Sequence, residues 1–156
     1  MIPIEIPGWG NMEVENIVLD MNGTLATDGR IPGELKTKIQ ALAQKAKIYI
    51  LTADTQGTAS EEVKGLEVEL VKIEEEESTS GKFDFLKTIN PEKTVVLGNG
   101  NNDHLILKEA GLGIGVLGEE GMAVSAMNDA DLVVKNISDG LDLLMKPKRL
   151  VATLRE

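Results

Sequence analysis

The sequence predicts a three-layer α/β/α domain built on a mostly parallel, Rossmann-like sheet, and three observations predict it. Short continuous apolar runs, Ile17-Val18-Leu19, Ile48-Tyr49-Ile50-Leu51 and Thr94 to Leu97, each stop at a polar or glycine residue, as strands buried on both faces do. Between them lie stretches with apolar side chains at helical spacing, and alternation of the two implies right-handed βαβ units. No repeat, low-complexity tract or long linker interrupts the pattern, so residues 1–156 read as a single domain.

From Met1 to Val14, Ile2, Ile4 and Ile6 alternate with polar residues, and Met12 and Val14 do so again after Pro7-Gly8-Trp9-Gly10. This reads as an N-terminal β-hairpin, a candidate edge ribbon. After the strand ending at Asp20 comes a helix with Pro32 near its first turn and Leu35, Ile39, Leu42, Ala43 and Ala46 on one face. The strand Ile48 to Leu51 ends at Thr52. Thr58 with Glu61 offers a capping box for a helix through Leu66, and Val68, Leu70 and Val71 suggest another strand. Glu74 to Glu77 reads as a solvated exit. Lys82 to Ile89 is helical in pattern, Thr94 to Leu97 a strand, Gly98 to Asn102 a polar turn, and Asp103 to Ala110 a helix. Strands at Leu112 to Leu117 and Leu132 to Val134 flank a helix around Met122 to Met127. The tail, Ile137 to Leu154, is helical on both sides of Pro147.

Composition narrows the function. Asp and Glu number 26 against 16 Lys and Arg, a formal charge of −10 that repels nucleic-acid backbones and anionic lipid headgroups, so neither nucleic acid nor membrane is expected as a partner. With no cysteine there is no disulfide framework, thiolate metal site or thiol nucleophile. No apolar stretch approaches the ~20 residues of a membrane span, and Met1 to Asn11 lacks a signal core, so a soluble cytoplasmic protein is expected. Aromatic residues, 3% of the chain, are too few for base-stacking platforms.

Ligands of parallel sheets bind beyond the carboxyl ends of the strands, so the polar residues that end strands are the candidates. They are Asp20 with Asn22 and Thr24, Thr52 with Asp54, Lys82 at an expected helix start, and Gly98-Asn99-Gly100-Asn101-Asn102-Asp103. Two carboxylates with amide and carbonyl oxygens make a hard oxygen site suited to Mg²⁺, and a lysine with helix-terminal N–H groups suits phosphate. Phosphoryl transfer is the chemistry these groups suggest.

In order and spacing, Leu19-Asp20-Met21-Asn22-Gly23-Thr24, Leu51-Thr52-Ala53-Asp54, Lys82 and Gly98 to Asp103 resemble the four motifs of the haloacid-dehalogenase-like (HAD) phosphohydrolases, over residues 15 to about 135. Within that superfamily the chain is most similar to the small soluble P-type-ATPase-like branch, whose members also carry a basic tail like Lys146-Pro147-Lys148-Arg149-Leu150. The resemblance implies that Asp20 is a nucleophile forming an aspartyl-phosphate. It implies further that Asp20, the Asn22 carbonyl, Asn99 and Asp103 surround Mg²⁺, and that Met21, Asn22, Thr52, Ala53, Lys82 and Asn102 surround the phosphoryl group. Such a site works by positioning and electrostatics.

Two positions depart from the family pattern. Where the second aspartate of Asp-x-Asp would protonate the leaving group, this chain has Asn22, an amide that cannot shuttle a proton. Where Gly-Asp-Gly would supply a metal ligand, it has Asn99, which keeps an oxygen but loses a charge. A slow Mg²⁺-dependent phosphohydrolase or phosphotransferase is the first functional expectation, and a weakened phosphate-binding or regulatory protein-interaction module is the alternative. A phosphate-accepting receiver domain fits less well, because its acidic pair stands at the first strand and its phosphorylated Asp at a later one. The gaps where superfamily caps are inserted hold only a flap and one βα unit, so the site is expected to be capless. That suits a small phosphorylated metabolite or a phosphoprotein, with a homo-oligomer closing the open face.

The remaining polar residues have plainer readings. Five helical residues turn a side chain by about 140°, so Lys82 and Lys87 cannot both face the site, and Lys87 reads as a surface charge. Asp54 reads as a turn cap. His104, one step past Asp103, is expected to point to solvent. Gly111, Gly113 and Gly115 lack the strand–glycine–helix order of a nucleotide loop.

Overall fold

A computed structural model describes residues 1–53 and 57–156. Asp54, and with it the expected turn cap, lies outside the described residues. Six strands form one parallel sheet in the order β5-β4-β3-β6-β7-β8: β3 (Asn16–Asp20), β4 (Lys47–Thr52), β5 (Val68–Lys72), β6 (Thr94–Gly98), β7 (Leu112–Val116) and β8 (Leu132–Val134). Side chains alternate between the two faces. Ile17, Leu19, Ile48, Ile50, Val95 and Leu97 share a core with Leu35, Ile39 and Leu42 of α1 (Gly33–Ala43) and Leu141 and Leu144 of α6 (Ile137–Met145). Val18, Leu51 and Val96 face the other way, onto Leu86 of α3 (Ser78–Lys87), Ile106 and Leu107 of α4 (His104–Glu109) and Ala126 of α5 (Val124–Asp129). Both faces are therefore covered, and each fully buried aliphatic side chain contributes about 1.5–3 kcal/mol.

The hairpin forms as expected, β1 (Ile2–Ile6) pairing antiparallel with β2 (Gly10–Val14), but it is not an edge of the main sheet. It is a separate ribbon, and Ile2, Ile4 and Ile6 are buried in the same core as α1, α6 and Leu150 of α7 (Pro147–Leu154). The alternating isoleucines need a cover, and the C-terminal helix supplies it.

Two helix boundaries differ from the sequence expectation. Helix α2 (Thr58–Glu62) stops short of Leu66, and its N-cap is Gly57 in the left-handed region (φ 82°), with no side-chain capping bond from Thr58. Helix α3 begins at Ser78, so Lys82 sits in mid-helix and not at a helix start. The acidic run ahead of it folds into a single tight turn, Glu75–Glu77, that leads into α3.

The chain runs from β3 outward through β4 to β5, then returns across the sheet to β6 on the other side of β3. At such a switch point the connections diverge in opposite directions and leave a crevice between the strand ends. Asp20 ends β3 and Gly98 ends β6, so the sheet topology itself brings the first and last motifs together. Between β3 and α1 there is only a short flap, closed by a Thr27–Arg30 bridge, and no inserted cap domain.

Candidate active site

The crevice opens as a cavity of about 870 Å³ lined by Asp20, Asn22, Thr52, Ala53, Lys82, Asn99 and Asn102 among others. At its floor Lys82 donates from Nζ to Asp20 Oδ1 (3.0 Å), Asp103 Oδ1 (2.7 Å) and Asn102 Oδ1 (3.2 Å). An ammonium has three protons, and here each has an acceptor.

Asp103 is fully buried, at 0% exposure. Its second oxygen, Oδ2, accepts from the N–H groups of Asn99 (3.1 Å) and Gly100 (3.0 Å), so the carboxylate both folds the loop after β6 and anchors Lys82. Gly98 is required for this packing: a side-chain carbon there would stand 2.6 Å from Asp103 Oδ2. With both oxygens engaged, Asp103 positions Lys82 and the loop, and it is not among the described residues that line the cavity.

Asp20 is held differently. Its Oδ1 meets Lys82, but among the described residues Oδ2 has only a long contact from the Thr24 hydroxyl, at 3.4 Å. The same hydroxyl lies 3.1 Å from Asn99 Oδ1. One hydrogen cannot satisfy both acceptors, so two hard oxygens converge with acceptor capacity to spare. The Asn99 amide is oriented by its other end: Nδ2 donates to the carbonyls of Gly23 (3.1 Å) and Gly121 (3.5 Å), which turns Oδ1 toward Asp20. Burial raises the Asp20 pKa to about 7, the Asp103 charge adds to the shift, and Lys82 opposes it. For Lys82, burial pulls the pKa down, but Asp20 and Asp103 outweigh it and leave the ammonium more firmly charged.

These donors fit a divalent cation of the hard type. Asp20 Oδ2 and Asn99 Oδ1 supply oxygens, and the Asn22 carbonyl follows Asp20 by two residues. Among the described residues no group of three or more His, Asp or Glu side chains is placed to hold a metal ion.

The structure brings Asn22, Thr52, Ala53 and Asn102 to the cavity beside Asp20 and Lys82. Met21 it does not: its N–H donates to Leu51 O at 3.0 Å and its side chain is buried, so the expectation that Met21 holds phosphate is corrected. Asn102 has its amide shared between Lys82 and Ser78 Oγ, which joins the loop after β6 to the start of α3. Lys87 lies on the outer face of α3, paired with Asp84 at 3.0 Å. His104 does not simply point to solvent. Its Nδ1 lies 3.0 Å from Asp129 Oδ2, so α4 is tied to the end of α5.

Two carboxylates escaped the sequence reading. Glu120 lines the cavity from the loop after β7 and covers Gly23, whose φ of 78° and lack of a side chain make room for it. Glu75 lines it from the turn before α3. The signal for Glu120 was available: Gly118-Glu119-Glu120-Gly121 follows a strand end, the criterion that found the other motifs.

No known family model matches the chain. The uncharacterized protein MJ0073 of Methanocaldococcus jannaschii is 44% identical over 93 residues, which is 55% of this chain and all of that protein. The fold is that of 3-deoxy-D-manno-octulosonate 8-phosphate phosphatase from Moraxella catarrhalis, crystallised with magnesium, phosphate and a KDO molecule, at a TM-score of 0.72 and 16% identity over 91% of this chain and 94% of that one. A structure from Legionella pneumophila, described as a HAD superfamily (subfamily III A) hydrolase, agrees at a TM-score of 0.71 and 14% identity over 90% of this chain and 87% of that one.

Proposed function

The chain belongs to the family of the MJ0073 protein and has the fold of HAD superfamily hydrolases, and from this fold and the site we propose that it is a Mg²⁺-dependent phosphohydrolase or phosphotransferase. One observation carries the proposal. Asp20 lines the cavity at the topological switch point, with one oxygen fixed by a buried lysine and the other, among the described residues, held only by a long contact from Thr24.

The Asp20 carboxylate attacks phosphorus, the bond from phosphorus to the leaving oxygen breaks, and an aspartyl-phosphate remains until water releases it. Lys82 neutralises charge shared between Asp20 and the phosphoryl oxygens, and Thr52 and the Ala53 segment border the phosphoryl position. A magnesium ion held by Asp20, the Asn22 carbonyl and Asn99 would add positive charge opposite Lys82. Asn22 lines the cavity but brings no proton, so esters with good leaving groups are the better substrates. Activity on p-nitrophenyl phosphate exceeds that on β-glycerophosphate by about 10²–10⁴-fold in this reading, the usual worth of a general acid. The direct test is binding of beryllium fluoride with Mg²⁺ and release of phosphate from p-nitrophenyl phosphate, both lost in Asp20→Asn. Full activity in that variant would remove Asp20 from the mechanism.

A regulatory module is the second reading, favoured by Asn99. Its Nδ2 holds two glycine carbonyls, a role no aspartate can fill, so the amide is built into the loop and not merely a damaged ligand. Beryllium fluoride binding without turnover is its signature. The likeness to the P-type-ATPase-like branch rests on the motifs alone, and cytoplasmic placement on composition. Among the described residues no helix is long and apolar enough to cross a membrane. The substrate named for the Moraxella protein does not transfer easily: an octulosonate carries a carboxylate, and among the described residues lining this cavity the cation is Lys82, already engaged with three acceptors.

A further inference from the structure

The charged residues lining the cavity are Asp20, Glu75, Lys82 and Glu120. Lys82 is the one cation among these described residues, and all three of its protons are engaged at the floor. Glu75 and Glu120 line the cavity from opposite sides of β3, one following β5 and the other following β7. Those strands lie on either side of β3 in the sheet. A substrate whose phosphate reaches Asp20 must pass its remaining part between two carboxylates. The groove beside Glu75 continues the same sign, with Glu74 to Glu77 against the single Lys72. Residues 54–56, Asp-Thr-Gln, add no positive charge by their sequence.

Resting on the phosphatase reading above, we propose that this cavity selects phosphate monoesters whose other end carries an ammonium group, and discriminates against those whose other end carries a second anion. The phosphoryl group meets Lys82 and the metal at the floor. The tail meets Glu75 or Glu120, where an ammonium is attracted and a carboxylate repelled. At about 6 Å in a water-like medium one pair of unit charges is worth about threefold in affinity, so exchanging an ammonium tail for a carboxylate, a difference of two charges, spans about tenfold.

The test uses three aryl phosphates whose phenols are of similar acidity, so that only the tail charge varies: tyramine phosphate, p-cresyl phosphate and 4-hydroxyphenylacetate phosphate. The expected order of kcat/KM at low salt is ammonium, then methyl, then carboxylate, with the extremes about tenfold apart and the spread contracting at high salt as screening predicts. In the Glu75→Gln, Glu120→Gln double variant the ratio of the extremes falls toward one. If beryllium fluoride binds but no ester turns over, the same ranking is read from dissociation constants by calorimetry. A flat or reversed order in the parent, or a ratio unchanged in the double variant, overturns the proposal while leaving the phosphatase reading intact. Absence of turnover on all three esters and on p-nitrophenyl phosphate, with no beryllium fluoride binding, removes the phosphatase reading and this proposal with it.

Discussion

The two sides of the cavity floor use the same carboxylate chemistry in opposite ways. On the Lys82 side every polar atom is engaged: three acceptors surround the ammonium, and Asp103, fully buried, divides its oxygens between Lys82 and two backbone N–H groups. On the Asn99 side, one hydroxyl, that of Thr24, lies between Asp20 Oδ2 and Asn99 Oδ1, so the acceptors outnumber the donor. A saturated network is rigid and costly to break, whereas surplus acceptors are strained until a cation or substrate arrives. The first side fixes geometry, and the second leaves chemistry to be completed.

The saturated side gives the largest expected effect. Lys82→Ala leaves the Asp103 and Asp20 carboxylates buried without their cation, and removing one partner of a buried pair costs about 3–5 kcal/mol. Denaturant unfolding should show that loss, with turnover abolished. Lys87→Ala, on an exposed pair, should change stability by less than about 1 kcal/mol. Similar losses in the two variants would mean that the Lys82 network is not what holds this side together.

The open side gives a prediction of opposite sign. Asp20 has its pKa raised from 3.8 to about 7, so the folded protein binds more protons than the unfolded chain between those values. Stability contributed by this group is therefore present at low pH and falls as pH rises toward 7. In metal-free protein, Asp20→Asn should be more stable than the parent at pH 8, by about 1–3 kcal/mol, with a flatter pH profile. Mg²⁺ should stabilise the parent and leave the variant nearly unmoved. Thermal melts at pH 5 and pH 8, with and without EDTA, check both signs, and a variant less stable than the parent at pH 8 would show that Asp20 is already satisfied without metal.

How the two sides differ also explains what the sequence disclosed. Asp20, Thr52, Lys82 and the loop from Gly98 to Asp103 were legible because strand ends in a parallel sheet must converge, and the apolar runs locate those ends. The order of elements held for the same reason. What could not be read was the division of labour between the two aspartates, since it depends on which carboxylate receives the Asn99 and Gly100 N–H groups. The start of α3 was misplaced because Ser78 to Gly81 carries no large apolar residue to mark a helical face. The resemblance implies Met21 at the phosphate, whereas pairing with β4 engages its N–H on Leu51 O. The hairpin was read as an edge because alternation reveals a half-buried strand without saying what buries it.

Asn99 sharpens the contrast. By charge alone, Asn99→Asp adds a metal-ligating carboxylate and like-charge repulsion with Asp20 and Asp103. In the structure it also replaces the Nδ2 donor with an oxygen facing the Gly23 and Gly121 carbonyls. Without metal this variant should lose about 1–2 kcal/mol, the usual cost of leaving buried acceptors unpaired, with a charge added near Asp20. Mg²⁺ should bind it more tightly than the parent and offset the loss. Calorimetric titration with Mg²⁺ beside a metal-free melt separates the two effects. Unchanged stability without metal would mean that the amide does not tie these loops together.

The smallest effect belongs to Thr24, the single hydroxyl between Asp20 Oδ2 and Asn99 Oδ1. It is buried, and its loss in Thr24→Val leaves two acceptors facing each other with no donor between them, while side-chain volume barely changes. The expected cost in metal-free protein is about 1 kcal/mol, the net worth of one hydrogen bond. Because a cation at the same oxygens would satisfy them directly, the cost should shrink as Mg²⁺ is added. Thr24→Ser, which keeps the hydroxyl, should retain the bond and lose only a methyl group. A Thr24→Val deficit that stays constant from EDTA to saturating Mg²⁺ would place the cation elsewhere, since the oxygens that this hydroxyl bridges would then remain unsatisfied in both states.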